Sequence, residues 1–298
     1  MVVLAEYIEV EAKSVLNKLK RRDAWYGCLY TVNPYRGCEL ACSYCYDVAP
    51  RWRGRYHSES WEVHRRIVVK VNAPQVLRRE LSKRQRDVVF VGSATDPYQP
   101  AESGYRLTRQ VLEAFAEARW PVEMGTKSDL VLRDLDLLVE LSKHSGVAVY
   151  VTITTLDENL AKALEPRAPP PKRRLEIVEA LSAAGIETCV TAVPVFPYLT
   201  ADERGLIELA RESKRAGATC ILFGALTLEA DVRKRLYPVL DRLKPGLSAL
   251  YDKMYGRSSL PPSDFESRLA RLEERVRRDF GFSRLPKFAE RGLHRTLA

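Results

Sequence analysis

The chain has 298 residues, 46 % of them apolar, enough for one large domain or two small ones around a sizeable core. It contains no run of about 18 apolar residues, which argues against a membrane-spanning helix. Glu6, Glu9 and Glu11 stand early where a secretion signal would be basic and then apolar, so a cytoplasmic protein is expected. Four Asn and four Gln against 48 Lys and Arg and 39 Asp and Glu fit a thermophile.

An extension over residues 1–27 precedes the first expected strand, 29–33. Further short apolar strands are expected at 88–92, 122–126, 147–154, 187–193 and 220–224. Helices are expected between them, at about 73–84, 105–118, 129–144, 157–164, 172–184 and 201–216. Thr200 with Glu203 reads as a capping box for the last of these, and Gly185 and Gly217 as helix ends. Six β-then-α units imply an α/β fold with a parallel sheet over 28–228, which periodicity alone leaves open between a barrel and a doubly wound sheet. Beyond 228 the alternation stops, and a helical extension, 229–298, is expected to cover the open edge or mouth. It would hold a helix at 230–242 and another opened by Ser263 with Glu266. That second helix carries Phe265, Leu269, Leu272, Val276 and Phe280 on one face and ends at Gly281.

Residues 51–86 hold eleven Lys and Arg against three Glu, a local net charge of +8, with Trp52, Tyr56 and Trp61 among them. Basic residues interleaved with aromatics suit phosphates and stacked bases; a solvated surface is the plainer reading.

The strongest chemical signal is Asn33-Pro34-Tyr35-Arg36-Gly37-Cys38-Glu39-Leu40-Ala41-Cys42-Ser43-Tyr44-Cys45-Tyr46. Three cysteines spaced Cys-x3-Cys-x2-Cys are one thiolate short of the four that normally close an iron–sulfur cluster, which leaves one iron open. A structural zinc with His57 or His64 as fourth ligand is the alternative, though the spacing is unusual for one.

This loop resembles the cluster loop of the radical S-adenosylmethionine (radical SAM) superfamily, and residues 33–38 are similar to the branch related to spore photoproduct lyase. Further blocks similar to that branch are Thr95-Asp96-Pro97-Tyr98-Gln99-Pro100, Tyr105-Arg106-Leu107-Thr108, Thr126-Lys127-Ser128, Leu132-Arg133-Asp134-Leu135-Asp136 and Leu164-Glu165-Pro166-Arg167. The resemblance implies a partial (β/α)6 TIM-type barrel with its site at the C-terminal ends of the strands. It implies a [4Fe–4S] cluster on Cys38, Cys42 and Cys45 that binds and reductively cleaves S-adenosylmethionine (AdoMet), giving a radical that abstracts hydrogen from a substrate.

On that reading Tyr44 packs on adenine. Ser93, Thr95 and Asp96 replace the Gly-Gly-Glu-type motif that accepts from the cofactor's amino group, although Asp96 can equally close an Asx turn. Lys127 pairs with the cofactor carboxylate or an anionic substrate. Thr152 and Thr154 share one strand face near the ribose, and Arg167 holds the methionyl carboxylate, unless a Glu165–Arg pair is structural. A ferredoxin or flavodoxin is the expected electron donor, and nucleic acid a candidate substrate through residues 51–86. No catalytic side chain is assigned. The lyase uses a further cysteine as hydrogen donor, and none lies here between Cys45 and Cys189; Cys28 is expected nearest the mouth, with Cys189 and Cys220 as reduced, buried thiols. The non-enzymatic alternative is a nucleic-acid-binding protein with a structural or redox-sensing cluster.

Overall fold

The computed structural model describes residues 5–53 and 56–289. Arg55 of the basic segment and the last residues of the helical extension lie outside the described residues. In chain order the elements are β1 (Glu6–Val10), β2 (Leu16–Lys18), β3 (Tyr30–Val32), β4 (Tyr35–Arg36), α1 (Pro50–Arg53), β5 (Arg66–Lys70), α2 (Ala73–Leu81), β6 (Val89–Val91), α3 (Ala101–Tyr105), α4 (Leu107–Ala118) and β7 (Val122–Thr126). A 3-10 turn leads into α5 (Leu135–His144), followed by β8 (Val147–Thr152), α6 (Glu158–Leu164), α7 (Pro171–Ala183), β9 (Glu187–Val195), α8 (Glu203–Arg215), β10 (Cys220–Ala225), α9 (Ala230–Leu243), α10 (Leu247–Tyr255) and α11 (Ser263–Phe280).

Among the described residues the main sheet runs β10-β9-β8-β7-β6-β3-β2. All its pairings are parallel except β2 against β3. The six parallel strands are the six read from the sequence, and they form the partial TIM-type barrel. They carry near-continuous Val, Ile and Leu because both faces are covered. The period of two sorts them: on β8, Val147, Val149 and Val151 pack outward with Leu138, Leu141, Ile177 and Leu181 of the helices, while Ala148 and Tyr150 face inward with Phe90, Cys189 and Leu222.

The segment before β3 is built into this barrel. Tyr26 lies between Phe90 and Tyr150, with ring centroids 4.3 and 5.0 Å away. Trp25 sits over Gly224, where a Cβ would come within 2.7 Å of its ring.

A second sheet, β1-β5-β4, has no counterpart in the sequence reading. The helix expected at 105–118 is broken at Arg106, which has φ 53°. The cap of α8 is Asp202, whose carboxylate accepts from the Gly205 N–H at 2.8 Å. Thr200 instead accepts from the Phe196 N–H, so the expected capping box is displaced. Ser263 is the first helical residue of α11 and makes no cap hydrogen bond.

α11 packs against β10 and α8 through Phe265, Leu269 and Val276, each burial contributing on the order of 2 kcal/mol. Beyond it, Ser283 bridges to Cys220 on the open edge of β10. Cys189 and Cys220 are not reduced thiols here: they face each other in register on β9 and β10, with Cα atoms 4.6 Å apart, and form a disulfide.

Candidate metal and cofactor site

The short second sheet holds the cysteine loop. β4 leads directly into Gly37 and Cys38, and the Cys38 N–H donates to the Val63 carbonyl at 2.8 Å. Gly37 has φ 82°, and a Cβ there would lie 2.7 Å from the Val63 carbonyl oxygen, so only glycine fits. Ala41, just before Cys42, also adopts the left-handed region, with φ 54°. The loop can therefore double back and present three thiols within eight residues.

The loop is tied to the barrel by residues that carried no periodic signal. Fully buried Gln99 donates to the Gly37 carbonyl (3.1 Å) and to the Thr95 hydroxyl (2.8 Å), and accepts from the Glu39 N–H (3.0 Å). Thr95 donates to the same Gly37 carbonyl at 2.6 Å. Glu39 in turn accepts from the Ala101 N–H at 2.8 Å. The block Thr95–Pro100 is thus a clamp on the cysteine loop.

Asn33 clamps the neighbouring turn, donating to Ser93 Oγ (3.0 Å) and accepting from the Ala94 N–H (2.9 Å). Behind these, the blocks around Tyr105 and Arg133 form a buried ionic network. Tyr35 donates to Glu102, Arg133 pairs with Glu102 at 2.6 Å and with Asp134 at 2.8 Å, and Arg109 also reaches Asp134.

Cys42 is buried, and Cys38 and Cys45 are half-buried. All three pack in one apolar cluster with Leu40, Val48, Phe196, Leu236, Leu240 and Tyr251, so α9 and α10 buttress the loop from outside. Burial is the largest influence on each thiol and raises its pKa, Cys45 to about 12. A bound cation would draw off those protons.

His57 contacts the Arg66 and Arg53 carbonyls through its two ring nitrogens, and His64 contacts the Cys38 carbonyl through Nδ1. Among the described residues no three His, Cys, Asp or Glu side chains are grouped around a single-ion site. Three thiols on one tight loop, with no fourth cysteine beside them, fit an iron–sulfur cluster with an open iron. Cys28 packs elsewhere, at the N-terminal end of the barrel with Val88, Phe90 and Tyr150, so the expectation that it lies nearest the mouth is overturned.

The other expected contacts fall into two groups. Thr95 and Asp96 are engaged within the protein: Asp96 accepts from the Thr126 hydroxyl (2.7 Å) and from the N–H groups of Lys127 (2.8 Å) and Tyr98 (2.9 Å), closing an Asx turn. Tyr44 donates to Glu165 and sets its ring edge-on to Phe196 at 5.2 Å. Glu165 pairs at 2.5 Å with Arg174, whose side chain is 1 % exposed. The structural pair therefore uses Arg174, leaving Arg167 exposed and reaching the Glu39 carbonyl at 3.5 Å.

The second group lies at the C-terminal ends of β7 and β8. Lys127 follows β7 with its ammonium 5.8 Å from the centre of the Tyr44 ring, and no hydrogen bond or ion pair engages it among the described residues. Burial pulls its pKa down, Cys42 and Glu165 push it up, and the balance leaves it raised. Thr154 is buried, with its hydroxyl unpartnered among the described residues. Thr152 accepts from Thr191 at 3.1 Å.

The basic segment does not form one free patch. Arg51 pairs with Glu229, Arg53 with Asp231, Arg66 with Glu62 and Glu6, and Arg78 with Glu117. Trp52 and Trp61 remain 43 % and 49 % exposed, with the Arg51 and Arg65 guanidinium groups 5.1 and 5.7 Å from their rings.

The Radical SAM superfamily profile matches residues 32–210, more than half of the chain. The chain belongs to the radical SAM superfamily. It is an enzyme of that class, and its fold is shared with spore photoproduct lyase. A structure of that lyase complexed with dinucleoside spore photoproduct has a TM-score of 0.69 and 15 % identity, covering 92 % of this chain and 79 % of the lyase; a mutant of the same lyase holds bound AdoMet. An uncharacterised protein of Mycobacterium tuberculosis is 36 % identical over 271 residues, 90 % of this chain and 78 % of that one. The radical SAM Nalpha-GlyT isomerase of Pseudomonas phage M6 is 28 % identical over 179 residues, 59 % of this chain and 35 % of the phage protein. Among the described residues no helix is long and apolar enough to cross a membrane.

Proposed function

We propose that this radical SAM enzyme holds a [4Fe–4S] cluster on Cys38, Cys42 and Cys45, binds AdoMet at the open iron, and acts on nucleic acid. The carrying observation is the cysteine loop itself, locked at the mouth of the barrel by Gly37, Thr95 and Gln99, with the Lys127 ammonium over the Tyr44 ring beside it. A [4Fe–4S] cluster held by these three thiolates, once loaded by a one-electron donor, would supply the reductive cleavage of AdoMet and with it hydrogen-atom abstraction from the substrate.

The protein's own residues bind and orient. Lys127 offers its ammonium to the AdoMet carboxylate, and Thr152, the last residue of β8, and Thr154, two residues beyond it, offer hydroxyls for the ribose. Ser93 retains acceptor capacity on Oγ for the amino group, and the Arg167 guanidinium is a second candidate for the carboxylate. Tyr44 presents a ring whose plane is fixed by Glu165 and Phe196, which suits packing against adenine. The apolar shell of Leu40, Val48 and Phe196 keeps water from the loop.

Nucleic acid is supported by the exposed Trp52 and Trp61 with their arginines, by the overall charge of +9, and by the dinucleoside lesion held by spore photoproduct lyase. The test is anaerobic turnover with AdoMet and dithionite, with and without single- and double-stranded DNA and RNA. Release of 5′-deoxyadenosine that rises when one nucleic acid is added supports the reading. Release that no nucleic acid alters, with no binding even at low salt, removes nucleic acid as the substrate class.

A further inference from the structure

A cavity of about 630 Å³ opens against the cysteine loop on the α6–α9 side. Ala41 and Ser43, the residues on either side of Cys42, form one wall. Lys162, Ala163 and Pro166 form the second, and Arg235, Val239, Arg242 and Leu243 of α9 form the third. Among the described residues three cations line it and no carboxylate does. The Arg235 Nε is buried without a hydrogen-bond partner among the described residues. Ser43 Oγ is likewise buried and unpartnered. Between the cations the surface is apolar, with Leu243 37 % exposed at the rim.

We propose that this groove is where a small acidic one-electron carrier docks to reduce the cluster. The inference rests on the cluster reading given above. On that reading each cleavage of AdoMet consumes one electron and the substrate enters by the barrel mouth, so the donor needs a second approach. The groove offers one at the shortest covalent distance from a ligand, since its wall is the pair of residues bonded to Cys42. A ring of cations around a small apolar floor is the complement of an acidic carrier; it speeds encounter and permits rapid release, as a transient electron-transfer contact of small area requires. In the step one electron leaves the carrier, which is oxidised, and enters the cluster, which is reduced; no covalent bond changes.

The test compares the reconstituted wild type with K162Q/R235Q/R242Q and with the charge-conserving K162R/R235K/R242K. Flavodoxin hydroquinone, a reduced two-cluster ferredoxin and reduced methyl viologen serve as reductants in anaerobic stopped flow. The expected result is a fall of about tenfold or more in the rate with both proteins for the Gln variant, a similar loss for wild type at high salt, and near-wild-type rates for the charge-conserving variant. Methyl viologen, a cation, should reduce all three alike. Calorimetric titration of oxidised flavodoxin into protein that carries no iron gives an independent reading: binding to wild type, and binding at least tenfold weaker to the Gln variant. Equal reduction of all variants by both carriers, or a wild type that neither carrier reduces, overturns the proposal. A groove that binds inorganic phosphate or nucleic acid while carrier rates stay unchanged in the Gln variant overturns it as well. If the protein takes up no iron, or methyl viologen reduces nothing, the cluster reading fails instead, and the titration alone decides whether the groove takes a carrier.

Discussion

The phenol of Tyr44 donates to the carboxylate of Glu165, and Arg174 closes on that carboxylate as well. Tyr44 lies between the ligand positions 42 and 45, whereas Glu165 follows α6. A pair with side-chain exposures of 1 % and 0 % therefore fixes the cysteine loop to the barrel wall. Replacing Glu165 by Gln leaves the Arg174 charge buried and unanswered, a loss of about 3–5 kcal/mol. Glu165→Leu combined with Arg174→Met removes both charges and should lie much closer to wild type. Urea denaturation of the two variants checks this; a single substitution no more damaging than the double would contradict it.

Gly37→Ala places a methyl group 2.7 Å from the Val63 carbonyl and forces alanine to φ 82°. The strain is on the order of 1–3 kcal/mol and falls on the loop alone. The expected outcome is a folded protein with normal far-UV circular dichroism and well under half the wild-type iron after reconstitution. Full iron content would show that the loop tolerates a wider turn.

The six parallel strands were legible because each is a short apolar run buried on both faces, as in 147–154, and the cysteine loop because thiolate spacing is a direct chemical signature. What joins them was not legible. β4 is two residues long and β1 reads Glu-Tyr-Ile-Glu-Val with mostly exposed positions; their partner, β5, lies far along the chain, and pairing at such distance leaves no local pattern. Gln99 and Asn33 act through backbone carbonyls and turns, so no periodicity announced them. Arg174 was hidden in a helix of ordinary charged residues, while Arg167 was conspicuous by motif. The disulfide depends on the register between β9 and β10, which a single sequence does not display.

Lys127 is a half-buried ammonium over the Tyr44 ring that no hydrogen bond or ion pair engages among the described residues. Lys127→Gln removes a charge-assisted contact of about 1.5–3 kcal/mol, so AdoMet should bind roughly ten- to a hundredfold more weakly while the melting temperature stays near that of wild type. Calorimetric titration of AdoMet into the reconstituted protein reads this. Unchanged affinity would move the carboxylate contact elsewhere, with Arg167 the next candidate.

Glu62 accepts from the N–H groups of Ser58 and Glu59 and pairs with Arg66. Hydrogen bonding to the Glu59 backbone, ahead of the Arg66 and Ser58 contacts, holds its pKa at about 2. A depressed carboxylate stabilises the fold above its unfolded pKa of about 4.3, and that contribution fades as pH falls toward 2. The stability gap between wild type and Glu62→Gln should therefore be full at pH 6–7 and shrink steadily between about pH 4.5 and 2. A gap independent of pH would mean that the ionised carboxylate is not what holds this turn.

The central claim is an open iron beside Cys38, Cys42 and Cys45. Its most direct measurement is electron paramagnetic resonance of the anaerobically reconstituted, one-electron-reduced protein, with and without AdoMet labelled with nitrogen-15 in its amino group. A reduced [4Fe–4S] signal that changes on adding AdoMet and shows coupling to the labelled nitrogen is predicted, and Cys42→Ala should abolish it. A spectrum indifferent to AdoMet, or three thiols satisfied by a single zinc ion, would contradict the account.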